Sequence, residues 1–333
     1  MSAPPPARQA GPLNWMLAAL LAGFAILTVY STSMTLHVMD MGTRIVYDAE
    51  SIKHYREALD GARAFPYQWR LLGVYLVRGV EVATGVDPNR IDIAVKVVLL
   101  WCSSALLLAF SRQYVSAMGA LCGVALYFVL TAAGFTDGYS IYYTNDYVML
   151  ACWFGAALLL RQGRVGAAAL LTFAGAFAKE TMMLVPILAG FEWLRHRGSL
   201  KPVVWTGIAF VAPTVILRWT YPAPVQEWAW WGMLFTNVPF LQPNTAELMV
   251  TLKNNLKVAL FFNVLWVLAA LGIYRSSEPF VKSLTLTMAV YILLAYPVIY
   301  IRELRHFLPL AILLVPMAIR ELERRAAAAD PAP

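Results

Sequence analysis

The chain has 333 residues, of which 60% are hydrophobic and 14% are charged, and its mean hydropathy is +0.63. Soluble globular domains are about 45–50% apolar and about 25% charged, so this composition excludes a soluble protein and predicts an all-α polytopic membrane protein. A net charge of +7 would suggest nucleic-acid binding in a soluble protein. Here the basic residues fall between apolar segments, which is the pattern that sets membrane orientation, and we expect no nucleic-acid partner.

The apolar segments predict about ten transmembrane helices in one domain over 15–320, between cytoplasmic tails at 1–14 and 321–333. The predicted spans lie near 15–36, 91–110, 115–134, 147–160, 165–178, 181–194, 202–220, 256–274, 283–300 and 307–320. Two outer connections are long. The first, 37–90, contains an amphipathic stretch that predicts an interfacial helix, and the prolines of the second, 221–255, predict a folded flap.

Lysine and arginine occur in every second connection between the predicted spans. These residues are Arg112, Arg161, Arg164, Arg195, Arg197, Lys201, Arg275, Lys282, Arg320, Arg324 and Arg325. The positive-inside bias places them in the cytoplasm. The other connections hold most of the acids and half of the tyrosines, so we expect a multi-pass protein of the bacterial inner membrane with its site facing the periplasm.

Three acids in the first outer connection are candidate catalytic residues. Asp48 precedes a short helical pattern and shares a face with Ile52; alternatively, it caps that helix by accepting a backbone N–H. Asp40 is either a second site carboxylate or an interfacial residue. Glu50 points about 200° away from Asp48 on a helix, which disfavours a two-carboxylate metal site, and neither a metal nor another cofactor is expected.

The last outer connection predicts a phosphate-binding site. Arg302, Arg305 and His306 occupy positions i, i+3 and i+4, and their positive charge on the outer side requires an anion. A guanidinium group binds phosphate with two parallel hydrogen bonds. The alternative is an internal ion pair in which Glu303 neutralises one of the arginines.

The 165–194 segment predicts two short helices with Lys179 and Glu180 at the tip, because one crossing would invert the charge pattern downstream. Each helix has about 14 residues, which is too short to cross the hydrocarbon core, so the tip lies below the outer surface beside protein or a polar cavity. A phosphate contact by Lys179 and an ion pair closing the hairpin are both open. Arg70, at the start of the interfacial helix, is a further candidate for a phosphate at headgroup level.

Aromatic and polar residues in two outer connections predict a sugar-binding surface. Tyr139, Tyr143 and Asp146 lie in GFTDGYSIYYTNDY, and Trp230 lies in the predicted flap. Rings pack on the C–H faces of sugars, and polar groups bond to their hydroxyls. An aromatic belt at the membrane interface explains the same aromatic residues.

Four features together resemble the membrane-embedded glycosyltransferases of the C-type fold. They are the acidic first outer loop, Pro66-Tyr67-Gln68-Trp69-Arg70, Lys179-Glu180-Thr181, and the segment from Arg302 to Pro309. The resemblance implies that a hexose or pentose passes from a polyprenyl-phosphate donor to a glycan, lipid or protein acceptor. Asp48 best matches the base of that family, and Asp40 is second.

Two other functional classes remain open from the residues. A lipid-linked-oligosaccharide polymerase or ligase would use similar outer arginines. A transporter or flippase of a lipid-linked or anionic substrate would show an internal repeat or paired broken helices.

Overall fold

The computed structural model describes residues 12–38, 52–53, 55–60, 70–135, 143–221, 237, 244–296 and 303–329, and the regular elements among them are all helical. The α-helices are α1 Pro12–Val38, α2 Leu72–Thr84, α3 Pro88–Ser111, α4 Ala117–Gly134, α5 Thr144–Arg161, α6 Val165–Ala176, α7 Leu184–His196, α8 Lys201–Thr220, α9 Thr245–Phe262, α10 Val264–Tyr274, α11 Pro279–Ala295 and α12 Ala311–Ala329. The 3-10 helices Glu180–Met183 and Leu304–Leu310 precede α7 and α12. The predicted all-α class is confirmed.

Three of the described helices, α3, α4 and α8, are long and apolar enough to cross a membrane. The bent pair α9 and α10 makes a fourth if it is counted as one span. The helices α6 and α11 are apolar but shorter, with 12 and 17 residues. Helix length and hydropathy thus support three or four crossings, and the remaining predicted crossings stay a prediction.

The α9 helix begins inside the segment predicted to be a flap. Asn244 sets this start, because its side chain accepts a hydrogen bond from the backbone N–H of Glu247 at 2.9 Å and so caps the helix. At the other end, α9 and α10 meet at a bend of 59°, where Asn263 has a φ of 42°. The predicted span 256–274 is therefore the bent second part of a longer helical segment.

The α12 helix also differs from its predicted bounds of 307–320. It begins later, because the segment containing Pro309 forms a 3-10 helix. It also continues through the predicted tail, where Glu321 pairs with Arg324 and Arg325 at 3.1 and 2.8 Å. Such i,i+3 and i,i+4 pairs and a run of alanines stabilise helix.

One end of the bundle, which we call the basic end, gathers the connections that are rich in lysine and arginine. The Arg161 guanidinium lies 4.4 Å from the ring centre of Tyr114 and 3.8 Å from Glu278. Arg195 donates to Ser283 at 3.3 Å. Since α6 begins and α7 ends beside these contacts, the two short helices predicted for this region are confirmed, in place of one continuous crossing.

The opposite end, which we call the site end, contains the first turn of α5 and the start of α2. The backbone N–H groups of Leu71 and Leu72 donate to the Phe177 carbonyl at 2.9 and 3.1 Å. The Gly73 N–H donates to Asn145 Oδ1 at 2.7 Å. A Cβ at position 73 would lie 2.8 Å from the Asn145 backbone nitrogen, so this close contact requires glycine. The helix predicted for this segment is confirmed as α2.

The α5 helix lies at the centre of the bundle and packs against α3 and α6. Its fully buried Trp153 donates to the Pro309 carbonyl at 3.1 Å, which ties the last 3-10 helix to α5. Phe154 and Tyr127 pack with their ring centres 5.5 Å apart. The first turn of α5 is buried as well, since Thr144, Asn145 and Asp146 are at most 5% exposed.

Candidate functional site

Three consecutive residues in the first turn of α5 contact three different parts of the bundle. Thr144 donates to the Asp92 carboxylate of α3, Asn145 holds the start of α2, and Asp146 pairs with two cations from more distant segments. Side chains one residue apart on a helix point about 100° apart, which explains the three directions. An acid in the first turn is also favoured by the helix dipole.

Asp146 lies at the centre of a buried charge cluster. The Lys179 ammonium donates to one oxygen of its carboxylate, and Arg305 Nε lies 3.1 Å from the other. That N–H is not aligned with the oxygen, so the contact is an ion pair without a hydrogen bond. The Arg305 guanidinium also lies 3.8 Å from the ring centre of Tyr143. Lys179, Arg305 and Asp146 are each about 5% exposed, so their charges depend on one another.

The cluster continues through His306 to Glu303. A single Glu303 oxygen accepts from Arg305 Nη2 at 2.6 Å and from His306 Nε2 at 2.8 Å. His306 Nδ1 lies 3.2 Å from Lys179 Nζ. Because an ammonium group can only donate, Nδ1 accepts and Nε2 carries the proton. This hydrogen-bond chain links the half-buried Glu303 to the buried Asp146.

The protonation states of Glu303 and His306 follow from their surroundings. Burial and the charge of Lys179 lower the pKa of His306 to about 4, against the opposite effect of its bond to Glu303. His306 is therefore neutral at neutral pH. Burial opposes ionisation of Glu303, but the hydrogen bond from His306 and the charge of Arg305 outweigh it and hold the pKa of Glu303 below its usual value. The cluster thus contains two carboxylates, two cations and one neutral imidazole.

A second ion pair lies nearer the surface of the site end. Arg70 contacts one oxygen of Glu180 through Nε at 3.3 Å and Nη2 at 3.1 Å. The Arg70 side chain is 17% exposed and that of Glu180 is 44% exposed. The proposed ion pair between Lys179 and Glu180 is wrong, because Lys179 bonds to Asp146 and Glu180 bonds to Arg70. The Asn145 side chain donates to the Arg70 carbonyl at 3.0 Å and fixes this arginine on the first turn of α5.

The structure brings together many of the residues singled out in the sequence. The site end contains Arg70, Tyr143, Asp146, Lys179, Glu180, Arg305 and His306. The alternative in which Glu303 neutralises an arginine is confirmed for Arg305. The candidates Asp40, Asp48, Glu50, Tyr139, Trp230 and Arg302 lie outside the described residues.

Sequence reasoning missed one buried ion pair beside the cluster. Lys96 Nζ lies 2.5 Å from the Asp92 carboxylate, and the two residues are 6% and 0% exposed. An acid and a base four residues apart in an apolar span were the available signal, because ionisable residues in such spans are costly. The Tyr291 hydroxyl, also missed, donates to the His306 carbonyl at 2.5 Å.

A metal site in the described residues would need several histidine, cysteine, aspartate or glutamate side chains close together. Within those ranges, no group of three or more histidine, cysteine, aspartate or glutamate side chains is arranged to hold a metal ion. Protein-family models, curated proteins and solved structures give no match to the chain. The chemistry of the site end therefore rests on its own geometry.

Proposed function

We propose that the protein is a membrane-embedded glycosyltransferase that moves a sugar from a polyprenyl-phosphate donor to an acceptor at the outer face of the membrane. The observation that carries the proposal is the anion position between Arg305 and His306. A carboxylate oxygen of Glu303 fills that position and accepts hydrogen bonds from both side chains. A phosphate oxygen can accept the same two bonds.

The donor phosphate replaces Glu303 at this position. The Glu303 side chain is 21% exposed, whereas that of Arg305 is 5% exposed, so Glu303 is the member of the pair that can move into water. Asp146 keeps the charge of Arg305 compensated during the exchange. The stack on Tyr143 holds the plane of the guanidinium group. Arg305 is thus oriented before the donor arrives.

The transfer step needs a base for the acceptor and a cation for the leaving group. The acceptor hydroxyl gives its proton to a carboxylate, for which Asp48 is the candidate, and its oxygen forms a bond to the anomeric carbon. The bond from that carbon to the phosphate oxygen breaks, and its electron pair stays on the phosphate. The products are the glycoside, the protonated base and the polyprenyl phosphate, whose added charge Arg305 stabilises.

The placement of this chemistry in the membrane is part of the same proposal. The basic end, with Arg161 and Arg195, is the cytoplasmic end by the positive-inside rule. The site end then faces the periplasm, at the level where the phosphate of a polyprenyl lipid lies. The chain crosses the membrane about ten times in this arrangement, and its polyprenyl donor enters sideways from the bilayer.

The test uses the full-length protein in proteoliposomes with a panel of undecaprenyl-phosphate-linked hexoses and pentoses and a membrane extract as the source of acceptor. We expect release of undecaprenyl phosphate, detected by mass spectrometry, with at least one donor. Asp48→Asn should abolish release while the protein stays folded, and Asp60→Asn, at an exposed acid, is the control. Equal release by wild type and Asp48→Asn would remove the assigned base, and no release with any donor would contradict the proposal.

One observation favours a second candidate, a transporter or flippase of a lipid-linked substrate. The bend of 59° between α9 and α10 makes a broken helix, and broken helices form substrate sites in many transporters. The same proteoliposomes separate the two functions. A transporter would move the labelled lipid-linked sugar between leaflets without releasing undecaprenyl phosphate.

A further inference from the structure

Two grooves of similar size lie on the surface of the bundle and differ in charge. The first runs between α2 and α3 and has a volume of about 530 Å³. The second lies along α8, has a volume of about 510 Å³, and is lined only by glycine, alanine and branched aliphatic residues. The first groove is also lined mainly by apolar side chains, but Arg90 stands among them.

The walls of the first groove are suited to a hydrocarbon chain. Leu76 and Val80 of α2 are 40% and 41% exposed, and Val98 of α3 is 55% exposed. The polar Thr84 beside them already donates its hydroxyl to the Val80 carbonyl at 2.7 Å. Because α3 is one of the helices long and apolar enough to cross a membrane, we expect lipid to cover this groove.

Arg90 is an exposed cation in this groove. Among the described residues, no carboxylate forms an ion pair with it. The nearby Asp87 carboxylate accepts from the backbone N–H groups of Asn89 and Arg90 through one oxygen, Oδ1, as the cap of α3. Arg78, on α2, is paired with Glu81 at 2.8 Å.

We propose that the groove between α2 and α3 binds an anionic membrane lipid, with a chain along Leu76, Val80 and Val98 and the headgroup phosphate on Arg90. A guanidinium group without a carboxylate partner supplies the charge complementarity, and the adjoining apolar wall supplies the place for the chain. On α3, the side chains of Arg90 and Val98 point about 160° and about 120° away from Asp92, whose carboxylate accepts a hydrogen bond from Thr144 at the site end. The inference does not depend on the proposed function.

The test is native mass spectrometry of the full-length protein with an equimolar mixture of phosphatidylglycerol and phosphatidylethanolamine that carry the same acyl chains. We expect wild type to retain phosphatidylglycerol about five-fold more than phosphatidylethanolamine, since one basic side chain near an anionic lipid is worth about 1 kcal/mol. Arg90→Gln should bring the ratio close to one. Arg78→Gln, at an arginine of α2 that pairs with Glu81 and does not line the groove, should keep the wild-type ratio.

Two further variants test the hydrocarbon part of the site. Val98→Trp should reduce the amount of phosphatidylglycerol bound, because the indole fills the groove. Ile208→Trp fills the uncharged groove on α8 and should leave the selectivity unchanged. An unchanged ratio in Arg90→Gln, or unchanged phosphatidylglycerol binding in Val98→Trp, would overturn the proposal. Transfer activity is not measured, so neither result bears on the proposed function.

Discussion

The two ends of the bundle organise charge in opposite ways. At the basic end, Glu321 is 1% exposed but bonds to three arginines, Arg275, Arg324 and Arg325, whose side chains are 40%, 51% and 53% exposed. Hydrogen bonds from Arg324, Arg275 and Arg325 hold the pKa of Glu321 well below its usual range. At the site end the cations themselves are buried. The three arginines around Glu321 can return to water, whereas the cluster cations Lys179 and Arg305 cannot.

This difference bears on function. A surplus of exposed cations is useful for orientation in a membrane and is screened by salt. A balanced, buried cluster is poorly explained by stability alone, because buried ion pairs are often no more stable than apolar packing. The site end therefore holds the charges that we expect to be used in binding or chemistry.

The largest effect should follow from removing the charge at the centre of the buried cluster. Asp146→Asn leaves Lys179 and Arg305 without their shared counter-ion, and breaking a buried pair in this way costs about 3–5 kcal/mol. The free energy of unfolding, measured in detergent, should fall by that amount. Asp60→Asn, at an exposed acid, should change the free energy of unfolding little. Equal effects of the two variants would contradict the conclusion that the charges of Asp146, Lys179 and Arg305 depend on one another.

A slightly smaller effect is expected from pH. An unfolded histidine gains its proton near pH 6.5, whereas His306 in the folded protein stays neutral down to a pKa of about 4. Between these values the unfolded state binds more protons, so stability should fall by up to about 3 kcal/mol as the pH drops through this window.

The control for this prediction is a second histidine. His306→Gln should remove most of the loss between pH 6.5 and about 5, above the range in which the carboxylates of the unfolded chain gain protons, whereas His196→Gln, at a side chain that is 53% exposed, should leave it. Thermal unfolding at several pH values measures both. The same pH profile in all three proteins would show that another group causes the loss.

The next effect concerns the contact between α5 and α2. Asn145→Ala leaves the buried Gly73 N–H without its acceptor, and an unpaired buried donor costs about 1–3 kcal/mol. Asn254→Ala, at a residue whose side chain bonds to no other described residue, should cost less. If the two substitutions are equivalent in a denaturant titration, Asn145 does not hold the start of α2.

The smallest effect is expected at the basic end. Glu321→Gln lets three partly exposed arginines return to water, so its loss of thermal stability should be smaller than that of Asp146→Asn. The loss should also shrink in high salt, since salt screens exposed charges more than buried ones. A larger loss than for Asp146→Asn would reverse the comparison between the two ends.

The sequence predicted the helical class, the split between α6 and α7 and the gathering of the basic connections, because hydropathy and charge pattern carry that information. It also singled out Lys179, Arg305, His306 and Asp146 as separate candidates. It did not predict that they form one cluster, since their pairing depends on which helices are neighbours. The start of α9 was missed because its polar first turns resemble a loop, although the Asn244 cap with Glu247 was present as a signal.

The ion pair of Asp92 and Lys96 was missed for a different reason. The mean hydropathy of an apolar helix stays high even when the helix contains two opposite charges, so the average does not reveal them. The i,i+4 spacing nevertheless allows them to pair. Only the neighbouring Thr144 shows that the pair belongs to the site end. The candidate acids Asp40, Asp48 and Glu50 lie outside the described residues, so the role of one of them as a base stays a prediction.

The most direct measurement is the KM for the polyprenyl-phosphate sugar donor in two variants of the anion position. Arg305→Lys replaces the planar guanidinium, which can donate two parallel hydrogen bonds to a phosphate, with a single ammonium group. This change should raise the donor KM about ten-fold, or about 1.4 kcal/mol. Glu303→Gln removes the carboxylate that occupies the phosphate position and should lower the donor KM. An unchanged donor KM in Arg305→Lys, together with a raised one in Glu303→Gln, would contradict the account.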